Sequence, residues 1–152
     1  MGKQAVCVAV ATMIVLGTVC ITRAATQAEA KGLVEETAAY WKAYGQATAI
    51  REINSPSSQF NKGGLSVFAN SINGIVLANG SNPDVVGKNQ LGITDAAGKP
   101  FVKECAELAK TKGSGWVEYT WTNPATGKTQ SRMVWIRRIE GTDIYVGSGL
   151  WK

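Results

Sequence analysis

Between Glu29 and Ile53 apolar residues recur at three- and four-residue steps. Val34, Ala38, Trp41, Gly45, Ala49 and Ile53 fall on one helical stripe, which Leu33, Tyr40, Tyr44 and Ala47 widen. Glu35 and Glu36 lie near its start, where acids suit the helix dipole, and Asn54-Ser55-Pro56 ends it. The spacing predicts one long helix of about 25 residues. The period then shortens. Leu65 to Ile72 reads as a strand, Asn73-Gly74 as a tight hairpin turn with both positions at positive φ, and Ile75 to Ala78 as the returning strand. A polar, glycine-rich connection runs from Asn79 to Asn89, and Asp95-Ala96-Ala97-Gly98 forms another turn. Pro100 opens a second helix with Phe101, Cys105, Leu108 and Ala109 on its apolar face, closed by Gly113. Trp116–Thr122, Gln130–Glu140 and Ile144–Leu150 then read as a meander of three strands. Five antiparallel strands with helices on the faces make an α+β domain.

The first residues change the picture. Lys3, an apolar run from Ala5 to Ile21 and the small residues Ala24 and Ala25 have the three-part layout of a secretory signal peptide. Residues 1–24 are therefore expected to be removed after Ala24, with Ala28 and Ala30 as later alternatives, leaving one domain over residues 25–152. The rival reading is an uncleaved membrane anchor, since the run is about long enough to span a bilayer. Lys3 and Arg23 leave with the segment, taking the formal net charge from +5 to +3. The remaining Lys and Arg are scattered, with only Arg137 and Arg138 adjacent, so no nucleic-acid partner is expected. Cys105 is the single cysteine left, and no intrachain disulfide can form even in an oxidising compartment. The domain must be held by its core.

Catalytic chemistry finds little footing. The 152 residues contain no His, which removes His-based triads and almost every catalytic zinc site. There is no CxxCH, no phosphate-binding glycine motif and no clustered Asp and Glu. No catalytic residue, metal or cofactor is expected, and the chain is read as a binding protein and not an enzyme. Trp116, Tyr119, Trp121 and Trp135 instead crowd two adjacent strands around Arg132, and alternation puts Arg132, Val134 and Ile136 on one face. An aromatic cavity with one cation would hold a small organic acid, because the rings exclude water and a guanidinium grips a carboxylate with two hydrogen bonds. On the plainer reading the rings are core and Arg132 lies on the solvated face.

The second half also carries a resemblance. Gly74-Ile75-Val76-Leu77-Ala78, Asn82-Pro83-Asp84-Val85-Val86-Gly87-Lys88-Asn89, Gly115 to Pro124, Arg132 to Ile136 and the ending Gly147-Ser148-Gly149-Leu150 follow in the order found in single Cache domains. The chain resembles that family from about Leu33 to Trp151. The resemblance implies an extracytoplasmic relative of the PAS fold, α+β, with a long N-terminal helix packed on a five- to six-stranded antiparallel sheet. It implies a sensor of small ligands, often short carboxylates, for chemotaxis receptors, kinases and cyclases. The family often has His where this chain has Asn79, an aromatic residue where it has Ser66, and Lys where it has Arg132. The expected pocket comprises Phe68, Trp116, Tyr119, Trp121 and Arg132, with Lys88 and Lys103 as weaker candidates for its rim. Because the sequence stops at Lys152, a stand-alone periplasmic or secreted form is expected, acting through a membrane receptor or kinase partner. A homodimer would form through the first helix. The competing reading is a ligand-free structural or dimerisation module.

Overall fold

The computed structural model describes residues 23–152; nearly all of the expected signal peptide lies outside the described residues. Thr26 and Glu29 start the first helix, α1 (Gln27–Tyr44), with a reciprocal capping box. The Glu29 N–H donates to Thr26 Oγ1 at 3.3 Å, and the Thr26 N–H donates to the Glu29 carboxylate at 2.7 Å. The expected single helix does not run through to Ile53. Gly45 stands at φ 78°, ψ 168°, a region essentially confined to glycine, and its N–H closes α1 on the Trp41 carbonyl at 2.9 Å. A second helix, α2 (Gln46–Ile53), then begins. Val34, Trp41, Ala49 and Ile53 of the stripe are buried as predicted, and Gly45 is the hinge between the helices.

Five strands follow: β1 (Val67–Ser71), β2 (Val76–Asn79), β3 (Ser114–Thr122), β4 (Thr129–Arg138) and β5 (Ile144–Trp151). A 3-10 turn at Pro83–Val85 and a helix, α3 (Phe101–Thr111), lie between β2 and β3. The strands pair antiparallel in the order β2-β1-β5-β4-β3, so the last strand occupies the centre. The β1–β2 turn differs from the expected one. Only Gly74 has positive φ, at 89°, and its N–H bonds to the Ser71 carbonyl at 3.0 Å. Asn73 stays at negative φ, so the hairpin closes on one left-handed residue and not two.

Side-chain alternation divides the core between the two faces of this sheet. Val67, Ala69, Ala78 and Val146 pack beneath α1 and α2. Val117, Tyr119, Val134, Ile136 and Tyr145 pack beneath α3 with Cys105, Ala106 and Ala109. The connection from β2 to α3 crosses this second face and is pinned to the sheet by Asp95. Its carboxylate accepts the Thr120 N–H of edge strand β3 at 3.0 Å, together with the N–H groups of Lys99 at 2.8 Å and Ala97 at 2.9 Å. No helix among the described residues is long and apolar enough to cross a membrane.

Candidate functional site

Between the second face, α3 and the crossing connection lies a chamber of about 90 Å³. Phe68 and Asn70 reach it from β1, Tyr145 from β5, Tyr119 from β3 and Arg132 from β4. Phe101 and Cys105 of α3 form its roof. A wider outer space of about 380 Å³ shares Tyr119, Arg132 and Phe101 with the chamber and adds Trp121 at its edge. Arg132 thus sits at the waist between the two.

The sheet creates the room. Tyr145, Gly147, Gly149 and Trp151 alternate onto this face of β5, and the two glycines leave bare backbone in its middle. A Cβ on Gly147 would strike the Phe68 ring. One on Gly149 would strike Val134 and stand 3.2 Å from Arg132 Nε. Phe68, Val134 and Arg132 lie flat across the strand for that reason. Tyr119 and Arg132 are direct cross-strand partners, and the guanidinium carbon lies 4.9 Å from the centre of the Trp151 ring. Phe101 stacks on Tyr119 with centroids 4.0 Å apart and planes 10° apart, and Trp121 meets Phe101 edge-on at 5.3 Å.

Arg132 is the one charged side chain among the residues lining either space. Its Nε is buried and has no hydrogen-bond partner, and it joins none of the ion pairs among the described residues. Asn70, only 6 % exposed, donates from Nδ2 to the Tyr145 hydroxyl at 3.3 Å, while its Oδ1 is buried with no partner. Burial pushes the Cys105 thiol up to about 12, with the neighbouring Glu104 charge adding to the shift. Burial also raises the phenols of Tyr119 and Tyr145 above their ordinary range. All three are neutral at physiological pH. The chamber therefore mixes aromatic walls with the polar side chains of Asn79, Ser81 and Gln90, and holds one cation, the buried unpartnered oxygen of Asn70 and no anion.

The Cache domain family matches residues 34–152. This chain belongs to that family. Cache domains are extracytoplasmic, PAS-like sensor modules that bind small organic ligands and work with chemoreceptor or kinase partners. The solved structures that share the fold include three sensor domains. A periplasmic sensor domain of a chemotaxis protein is 22% identical with a TM-score of 0.62, over 80% of this chain and 86% of that one. A Cache chemosensory domain described for carboxylic acid recognition is 22% identical with a TM-score of 0.61, over 80% and 84%. A methyl-accepting chemotaxis protein from Vibrio parahaemolyticus RIMD 2210633 is 15% identical with a TM-score of 0.65, over 82% and 86%. No protein of curated function matches the chain significantly.

Within this Cache domain, three of the five expected pocket residues, Phe68, Tyr119 and Arg132, line the chamber. Trp121 stands at the outer mouth, 39 % exposed. Trp116 does not join them. It projects to the α1 face, edge-on to its cross-strand partner Trp135 at 5.3 Å, and the Lys31 ammonium lies 4.6 Å from the Trp135 ring centre. Lys88 and Lys103 are exposed and line neither space. Sequence reasoning missed Asn70, Tyr145 and Phe101. The signal for Tyr145 was its even spacing with Gly147 and Gly149 on the last strand. Asn70 carried a weaker one, as a polar residue inside an apolar strand on the Phe68 face.

Proposed function

We propose that this Cache domain is an extracytoplasmic sensor that binds a short carboxylate in the chamber beneath α3. It passes the signal, in chemotaxis or a related response, through a membrane receptor or kinase partner. The observation that carries this reading is the buried, unpartnered Nε of Arg132 in a chamber without an anion. A buried N–H donor left unpaired is costly, and a carboxylate supplies both the charge and the acceptor oxygens that a guanidinium fits. Phe68 serves as apolar wall, the Tyr119 hydroxyl as a hydrogen-bonding neighbour of the acid, and Trp121 as the outer lip. The carboxylic acid in the description of one fold neighbour is the same ligand chemistry. Residues 1–24 would act as the export signal, residues 25–152 as the sensor, and α1 as the face of a homodimer.

A thermal-shift screen of acetate, propionate, butyrate and pyruvate tests the reading. A true ligand at a hundredfold excess over its Kd should raise stability by about 2.7 kcal/mol. Arg132→Ala should then weaken binding by about 1.5–3 kcal/mol with the fold intact, as expected for a charge-assisted bond, and Arg132→Lys should retain part of the affinity. Absence of any shift would return the domain to a ligand-free dimerisation module, and unchanged affinity in Arg132→Ala would move the acid away from this guanidinium to another part of the sheet.

A further inference from the structure

The chamber's two unpartnered atoms have opposite hydrogen-bonding sense. Arg132 Nε is a donor that calls for an acceptor, and Asn70 Oδ1 is an acceptor that calls for a donor. Both belong to the same cavity, and Asn70 is more than nine-tenths buried. A simple carboxylate satisfies the first and leaves the second empty. The partner of the second must be neutral: no lining residue carries negative charge, so an ammonium beside Asn70 would be an unpaired cation in a chamber already holding one. A second carboxylate would meet an acceptor oxygen and no second cation.

The two side chains also enter the space from well-separated positions on the sheet. Asn70 pairs with Tyr145 and Arg132 with Trp151, positions six residues apart on β5, or about 20 Å of strand. The Arg132 side chain shortens that gap by lying back over Gly149. Several ångströms remain, too many for groups on adjacent carbons. Since Arg132 sits at the waist, the acid belongs there and the rest of the molecule fills the chamber. The chamber's 90 Å³ is about three water volumes at ~30 Å³ each, room for a few carbons and one polar group.

We propose that the acid this domain takes is a short, unbranched hydroxymonocarboxylate. Its carboxylate sits on Arg132, and its hydroxyl, remote from the acid, donates to Asn70 Oδ1. This rests on the reading of Arg132 as the acid anchor. It assigns Asn70 as the residue that selects among acids.

A four-carbon series that differs only at the far end isolates the claim. Butyrate, 4-hydroxybutyrate, 4-aminobutyrate and succinate are titrated calorimetrically into the purified protein. The expected order places 4-hydroxybutyrate about tenfold tighter than butyrate, as one made hydrogen bond implies, with the amine and the diacid weaker than butyrate. In Asn70→Leu the ratio of hydroxy-acid to butyrate affinity should fall from about tenfold to about one, whatever the level of butyrate binding itself. Equal binding of butyrate and 4-hydroxybutyrate by the wild type would overturn this inference and leave the carboxylate reading standing. So would a preference that survives in Asn70→Leu, or tightest binding of the amine or diacid. If Asn70→Leu does not fold, the wild-type ranking alone decides. Binding of no acid in the series or in the thermal-shift screen would overturn both readings.

Discussion

A Cβ at position 149 would stand 2.9 Å from the Met133 carbonyl oxygen and would overlap Val134, with Arg132 Nε 3.2 Å away. Backbone on one side prevents the neighbours from yielding cheaply. Gly149→Ala should therefore cost about 1–3 kcal/mol as overpacking and also displace the guanidinium. Thermal melts and a titration with the acid found by screening would read both effects. A variant with wild-type melting and wild-type affinity would show that Arg132 does not depend on the bare strand beneath it. Much of the chamber was legible at this scale. Phe68, Tyr119 and Arg132 line one cavity: a lone Arg among aromatics pointed to Tyr119 and Arg132, and the pocket expected alongside the family resemblance added Phe68. Trp116 is not, and parity explains why: three residues from Tyr119 on one strand, it must face the other way. The number of rings in two strands carried no information about which face each ring takes. Asn70 was harder to see, since an Asn in a strand becomes significant only when the fold buries it beside an empty space.

The connection from β2 to α3 is the element that closes the chamber, and Asp95 holds it down. The Thr120, Lys99 and Ala97 N–H groups all point at one carboxylate that is only 7 % exposed. Those bonds, the one from Thr120 foremost, hold its carboxyl below the usual range. A depressed folded value gives stability that is present above the unfolded carboxyl's value, near pH 4, and lost as pH falls through the lower folded value. Asp95→Ala should thus melt below the wild type at pH 7, and the gap should close below about pH 4. Melting curves from pH 7 to pH 3 check it; a gap independent of pH would mean the carboxylate charge is not what pins the connection. At this scale the sequence reading succeeded on order and failed at two joints. All five strands and both helical regions appear where periodicity and turn residues placed them, the first region as two helices. The break at Gly45 was invisible because the apolar stripe continues across it, and a stripe reports burial and not backbone continuity. The hairpin at Gly74 used a longer loop than Asn-Gly implies because register with β2 and β5, and not the dipeptide alone, sets the turn.

For the molecule as a whole, the N-terminal helix cap bears on the proposed processing site. Removal of residues 1–24 would leave Thr26 and Glu29 to form their reciprocal bonds, whereas cleavage after Ala28 or Ala30 would cut inside α1 and delete the cap, worth about 1 kcal/mol. Mass spectrometry of exported protein should give a chain that begins at Ala25. Full-length chain recovered only with membranes would make the first segment an anchor instead. The central position of β5 reaches further. The hairpin β1–β2 and the pair β3–β4 share no ladder with each other and are joined only through Ile144–Trp151. Until that last stretch is available, the sheet is two unconnected ribbons, and isolated two-stranded ribbons are marginal in water. Non-local pairing of this kind is also slow to form. A chain handled from its N-terminus thus stays loose enough to be threaded through a narrow pore for nearly its whole length. It acquires its rigid form, and its ligand chamber, only when the final strand slots between the two halves.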